Sequence, residues 1–174
     1  PKLVNTQAFT PIPVGGYPAA PKPVGLKDRS ELAPWGVTGI DHTTEVLTEP
    51  WNTNVLALKT WNSRVFVGGR ITGVQQGPTG APIAQPSLAA FDLDGNWIST
   101  FRPTITGGRV WDLAITPDNK LIIAGDFTSV NGVANTRGLA ALDPTTGTVI
   151  PGWKARVSRV NGTEWRVRTL DVRG

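Results

Sequence analysis

A repeated pattern of short strand-like segments is the feature that most limits how this chain can fold. Residues 55–58 correspond to 110–115 at an offset of 55, and residues 64–69 correspond to 120–125 at an offset of 56. Residues 87–92 correspond to 138–143 at an offset of 51, and a third copy starts at 166–172. Because these correspondences keep the same order, they indicate duplicated structural units.

Each unit contains about four strand-like segments separated by turn residues. In the second unit they are residues 109–115, 120–124, 139–142 and 149–153. Asn131-Gly132 and Asp94-Gly95 are typical hairpin turns, because glycine accepts the positive φ that such turns require. The first unit is longer by about five residues within 74–86, which we expect to be a loop insertion. Four short strands repeated every 40–60 residues are typical of a β-propeller blade.

The second unit resembles the delta-60 repeat. Residues 110–132 read VWDLAITPDNKLIIAGDFTSVNG, and GLAALD follows Arg137 at 138–143. The family pattern is approximately V-x-x-(L/I)-A-x-x-P-D-G-K-(L/I)-(L/I)-V-G-G-x-F-T-x-(V/Y)-N-G, then an arginine and L-A-R-L-(D/N). The resemblance covers residues 54–172, although the first unit has QQG at 75–77 instead of the Asn-Gly turn. It implies a β-propeller module of bacterial secreted or surface proteins, often beside adhesive or carbohydrate-binding domains, with no shared catalytic residues.

The predicted fold is therefore all-β, a partial β-propeller with an extended Pro-rich N-terminal arm. We expect the arm at 1–53, one four-stranded blade at 54–108, a second at 109–163 and the first strand of a truncated third at 164–174. Eight of the fifteen prolines lie in the first fifty residues. Since proline lacks a backbone donor, the arm is not expected to form a helix or a central strand, although residues 44–47 could add a short strand.

Alternation along the strands predicts which apolar side chains form the core. The predicted core residues are Leu56, Leu58, Val65, Val67, Leu88, Ala90, Leu113, Ile115, Leu121, Ile123, Leu139 and Ala141.

Composition excludes several kinds of chemistry. Cysteine is absent, which excludes disulfides, thiolate metal sites and cysteine nucleophiles. His42 is the single histidine, and no serine-nucleophile or zinc-protease motif accompanies it, so we expect it to be a surface residue. No apolar run reaches the roughly 18 residues of a membrane-spanning helix, so no membrane insertion is expected.

One segment has the spacing of a calcium-binding loop. Asp92, Asp94 and Asn96 alternate as in a D-x-D-x-N loop, and a hard cation needs several such oxygens. However, glycine occupies the fourth position and proline the twelfth, and the same residues fit a strand end followed by an Asp-Gly turn. The turn is the favoured interpretation, calcium is the weaker one, and no other cofactor is expected.

Tryptophan and arginine are the remaining candidates for contact with a ligand or partner. Of seven tryptophans, Trp35, Trp51 and Trp61 lie in the arm or at loops and are candidates for stacking on sugar rings or partners. The other four fall at strand positions and are expected to pack.

The net charge of +4 arises from the C-terminal stretch. A basic patch there comprises Lys154, Arg156, Arg159, Arg166 and Arg168. No stacking platform accompanies these charges, so a solvated strand face is favoured and nucleic acid is not expected.

These features favour a non-enzymatic structural or binding module of a larger assembly. We expect contacts with protein or glycan, on a bacterial cell surface or in the extracellular space, with a virion as the alternative location. Two blades cannot close a ring, so the missing blades would come from a chain continuation, other copies or another protein. The alternative function is a fragment of a propeller hydrolase or lyase whose catalytic residues lie outside this chain.

Overall fold

A computed structural model describes residues 34–38, 54–77, 79–153, 155, 157 and 166–172. Every described residue belongs to one compact unit, Ala33–Gly174. The described residues form β-strands without any helix, as the all-β prediction requires. The strands are β1 (Trp35–Thr38), β2 (Asn54–Trp61), β3 (Arg64–Arg70), β4 (Gly73–Gln76), β5 (Ile83–Ala84), β6 (Leu88–Asp92), β7 (Ile105–Thr106), β8 (Val110–Ile115), β9 (Leu121–Gly125), β10 (Ser129–Val130) and β11 (Leu139–Leu142).

Two three-stranded antiparallel sheets repeat the same construction. Sheet 1 has the order β2-β3-β6, and sheet 2 has the order β8-β9-β11. The first strand of each sheet carries a bulge at the same place, between Val55 and Ala57 and between Val110 and Asp112. The backbone bond from Gly69 N–H to the Ser87 carbonyl (3.0 Å) has its counterpart in sheet 2, at residues 125 and 138 (3.0 Å). The repeat in the sequence is therefore a repeat in structure.

Both sheets have three strands instead of the four that we predicted. The fourth segment of each unit is reduced to one isolated bridge, Phe91 to Trp97 in sheet 1 and Leu142 to Val149 in sheet 2. In sheet 2, Pro151 cannot donate to a ladder and Gly152 has a φ of 77°, so the chain turns away after the bridge.

Two smaller strand groups accompany the sheets. Ribbon 1 has the order β1-β4-β5, and ribbon 2 pairs β10 with β7. The predicted loop insertion at 74–86 thus contains most of β4 and all of β5. These two strands pair with each other, with Val74 opposite Ile83. β1, inside the predicted arm, is an edge strand, a position where a neighbouring proline is tolerated. The rest of the arm, including His42 and residues 44–47, lies outside the described residues.

The third copy of the repeat, residues 166–172, forms no strand ladder within the part of the chain that the structure describes. We predicted it as a first strand at 164–174. Val167 and Leu170 are half-buried and their neighbours are exposed, with the same spacing as the buried Val110 and Leu113 on the bulged strand β8. A ladder needs a neighbouring strand with which to pair, and none is found for this segment among the described residues.

The core lies on both faces of the sheets. The forward face of a sheet comprises Phe66, Leu88 and Ala90 in sheet 1 and Ile122, Leu139 and Ala141 in sheet 2. The rear face comprises Val67, Ala89 and Phe91 in sheet 1 and Ile123, Ala140 and Leu142 in sheet 2. The forward face of sheet 1 packs on the rear face of sheet 2, in the cluster that also contains Phe101 and Phe127. Ribbon 1 packs on the rear face of sheet 1.

Most of the predicted core residues are buried, and two predictions are wrong. Seven are buried, namely Val67, Leu88, Ala90, Leu113, Leu121, Ile123 and Ala141, and three are half-buried, namely Val65, Ile115 and Leu139. Leu56 and Leu58 are exposed, at 37% and 64%. Both lie on β2, which is an edge strand of sheet 1, and Leu58 belongs to its rear face, beyond the area that ribbon 1 covers.

Candidate functional site

The contact between the two sheets shows which side chains become buried when one sheet covers another. The burial of side chains on the two outer faces can be compared with it. Val110 and Leu113 on β8 and Leu121 and Ile123 on β9 pack against the forward face of sheet 1, and all of them are buried. The approach is close at Gly68, where an added Cβ atom would lie 2.8 Å from Val110 Cγ1. A polar bond borders the contact, from the Trp61 indole N–H to Asn119 Oδ1 (2.9 Å).

The rear face of sheet 1 exposes side chains that sheet 2 buries at equivalent positions. Val55 and Leu58 are 43% and 64% exposed, whereas their counterparts Val110 and Leu113 are 0% and 5% exposed. The difference arises because β8 lies on sheet 1, while within the described part of the chain nothing covers the rear face of sheet 1 at Val55 and Leu58. The rear face of sheet 1 is therefore an exposed apolar surface, and its side chains correspond to those with which sheet 2 packs on sheet 1.

The forward face of sheet 2 contains an open cleft of about 570 Å³. Its lining includes Leu139, Ile150 and Trp153, all half-buried. The counterparts of Leu139 and Trp153 in the first unit are Leu88 and Phe101, which are fully buried beneath sheet 2. The cleft therefore corresponds to the space that sheet 2 fills on sheet 1.

Residues 166–172 are held by two hydrogen bonds to sheet 2, and Leu170 packs in the same cluster as the cleft residues Leu139 and Trp153. Val167 N–H donates to the Gly125 carbonyl (3.0 Å), and Leu170 N–H donates to Asp112 Oδ2 (2.6 Å). The Leu170 side chain packs on the cluster formed by Ala114 and its neighbours on the forward face. Val167 and Leu170 thus lie on sheet 2 as their counterparts on β8 lie on sheet 1.

The predicted stacking tryptophans take part in packing where the structure describes them. Trp35 is half-buried against Trp97, with ring centroids 5.4 Å apart at 45°. Trp61 is half-buried, and its indole N–H is bonded to Asn119. Trp51 lies outside the described residues. No open aromatic platform is formed by Trp35 or Trp61.

Trp111 occupies the bulge of β8 between two arginines. The guanidinium carbons of Arg109 and Arg168 lie 5.4 and 5.6 Å from its ring centroid, within the range of cation–π attraction. Arg109 also interacts with Asp126, which accepts the Arg109 backbone N–H at 2.7 Å. The Trp111 indole N–H is buried and finds no acceptor among the described residues. With arginines over its ring, Trp111 is a structural residue.

Asp92 and Asn96 form a hairpin turn, as the favoured interpretation predicts. The two Asp92 carboxylate oxygens accept the Asn96 backbone N–H (2.7 Å) and side-chain amide (2.9 Å), and Gly95 has a φ of 81°. The side-chain bond, followed by the backbone bond, lowers the pKa of Asp92. Asp94 is exposed in the same turn. No cluster of three potential metal-ligating side chains occurs within the described ranges.

The structure describes only part of the predicted basic patch. Arg166 and Arg168 are exposed, and Arg168 lies over Trp111. Lys154, Arg156 and Arg159 lie outside the described residues, so the patch as a whole stays a prediction.

Sequence reasoning missed the two outer faces as a site. The signal was available, since Val55 and Leu58 are the counterparts of Val110 and Leu113 in the first unit of a series.

No protein-family model, curated protein or solved structure matches the chain. In the described part of the chain, no helix has the length and apolar character needed to cross a membrane.

Proposed function

We propose that this protein is a non-enzymatic structural and binding module of the β-propeller type, in a larger secreted, cell-surface or phage assembly. Its sheets would stack in series, the forward face of each receiving the rear face of the next. The missing sheets would come from a chain continuation, other copies or another protein, and glycan contact belongs to the same proposal.

One observation carries the proposal. Leu58 is 64% exposed, and its counterpart Leu113 is 5% exposed against the preceding sheet. Burying a leucine side chain contributes about 1.5–3 kcal/mol, so a row that includes Val55 and Leu58 favours association with a covering layer.

Four of the described carboxylates hold the backbone in place, which favours a binding role over a catalytic one. Asp112, Asp126 and Asp143 each accept backbone N–H groups, at 2.8, 2.7 and 2.7 Å, as Asp92 does in its turn. Carboxylates used in this way fix strand ends and turns. They stabilise a scaffold that presents surfaces.

Size-exclusion chromatography with light scattering tests the proposal. The wild-type protein is expected to elute above its monomer mass of 18.5 kDa, and Leu58→Lys is expected to reduce that mass. Thr79→Lys adds the same charge at an exposed site outside the rear face and should behave as wild type.

Two results would contradict the proposal. One is a monodisperse 18.5 kDa wild-type species that unfolds cooperatively. The other is turnover of a polysaccharide or peptide by the purified chain, which would contradict its non-enzymatic part.

A further inference from the structure

We propose that the cleft on sheet 2 and the adjoining residues 166–172 form an acceptor site for one extended apolar β-strand of the β9 type. This inference rests on the proposed function and names the partner that the forward face of sheet 2 would bind. The bound strand would pair with residues 166–172 and place alternate aliphatic side chains in the cleft.

The contact between sheet 1 and sheet 2 indicates which strand belongs there. On sheet 1, β8 supplies Val110 and Leu113, and β9 pairs with β8 and supplies Leu121 and Ile123. On sheet 2, Val167 and Leu170 already occupy the places of the two β8 residues. The cleft is lined by Leu139 and Trp153, whose counterparts Leu88 and Phe101 pack in one cluster with the β9 side chains Leu121 and Ile123. The position that corresponds to β9 would therefore fall at the cleft.

The sequence of the acceptor site defines the chemistry of the strand. Leu121 and Ile123 lie on one side of β9, so the bound strand needs aliphatic residues at alternate positions. Near their C-terminal ends, β3 and β9 both contain a small residue followed by glycine, at Gly68-Gly69 and Ala124-Gly125. A small residue there leaves room for the next layer, as the approach of Val110 to Gly68 demonstrates.

A synthetic peptide tests the inference without requiring the natural partner. The probe is a fluorescein-labelled peptide with the sequence of residues 117–128, titrated with the full 174-residue protein and followed by anisotropy. The control peptide has asparagine in place of Leu121 and Ile123. We expect saturable binding of the first peptide and at least about tenfold weaker binding of the control, because the control loses both apolar anchors.

Two protein variants locate the binding. Leu139→Asp places a charge in the cleft and should weaken binding at least about tenfold. Thr79→Asp adds the same charge at an exposed site outside both outer faces and should leave the affinity within about twofold. If Leu139→Asp does not fold by circular dichroism, the comparison of the two peptides on wild-type protein decides the question.

Three outcomes would overturn the inference: no binding at millimolar peptide, equal binding of both peptides, or equal weakening by both variants. If Leu139→Asp lowers self-association of the protein while the peptide does not bind, the occupant is a second copy. In that case the acceptor-strand inference fails and the proposed stacking function stands.

Discussion

Replacing Gly68 with alanine tests how closely the two sheets pack. Gly68 lies on the forward face of sheet 1, opposite sheet 2. A Cβ atom at this position would lie 2.8 Å from Val110 Cγ1 and 3.3 Å from Leu113 Cδ1. Because carbon atoms pack best at about 3.5–4.0 Å, the methyl group must displace Val110 by about 0.7 Å or more.

Two opposing effects set the size of the change in stability. Overpacking of this kind lowers the free energy of unfolding by about 1–3 kcal/mol. Replacing a glycine inside a strand raises it by about 0.5–1 kcal/mol, since alanine has less freedom in the unfolded chain. We therefore expect Gly68→Ala to lose about 1–2 kcal/mol overall.

A second substitution isolates the contact itself. Val110→Ala removes the atom nearest to the new methyl group and by itself should cost about 2 kcal/mol. In the double variant the alanine at 68 fills part of the vacated space. Its loss should therefore be smaller than the sum of the single losses by about 1 kcal/mol or more.

Equilibrium urea unfolding measures these free energies, followed by tryptophan fluorescence and circular dichroism to check that the transitions coincide. Gly36→Ala is the matched control, because a Cβ atom on that strand glycine would meet nothing within 4 Å. The reasoning is refuted if Gly68→Ala is no more destabilising than Gly36→Ala, or if the two single losses add within about 0.5 kcal/mol.

Three further predictions concern the core, the hairpin turn and the third copy of the repeat. Because Ile123 is fully buried, Ile123→Ala should lower the free energy of unfolding in urea by about 2–5 kcal/mol and Ile123→Val by about 0.5–1.5 kcal/mol. A loss below about 0.5 kcal/mol for the alanine variant would place this residue at the surface. The Asn96 side-chain and backbone bonds lower the pKa of Asp92 below its ordinary 3.8, so the advantage of wild type over Asp92→Asn should be complete above about pH 5 and lost as the pH falls through the lowered value; urea unfolding across pH measures it, and an advantage that grows in acid would contradict the assignment. Asp112→Ala removes the acceptor of the Leu170 amide, so amide exchange at Leu170 should accelerate at least about tenfold, and unchanged protection would mean that other contacts hold the segment.

Repetition allowed the six strands of the two sheets to be predicted from the sequence, because duplicated units share strand positions and turns. The Asn131-Gly132 turn has φ values of 51° and 68°, as its residues require. Ribbon 1 escaped prediction because its signal is short. The similarity between Val37-Thr38-Gly39 and Ile105-Thr106-Gly107 extends over only three residues. The sequence offset between these two segments also differs from the offset between the strands of the two sheets.

The outer faces could not be predicted from alternation alone. Alternation correctly groups Leu58 with Val67 on one side of sheet 1. It does not indicate whether a further layer covers that side, and the burial of Leu58 depends on such a layer. For the same reason the half-burial of Leu139 follows from the open cleft and not from its own strand.

The construction of each sheet from consecutive chain segments has a consequence for synthesis. All three strands of sheet 1 lie within residues 54–92, and those of sheet 2 lie within 110–142. Short-range pairing of this kind closes early, and chains emerge from the ribosome N-terminus first. Sheet 1 can therefore form while residues 110–142 are still untranslated, and sheet 2 then packs on a surface that is already in place.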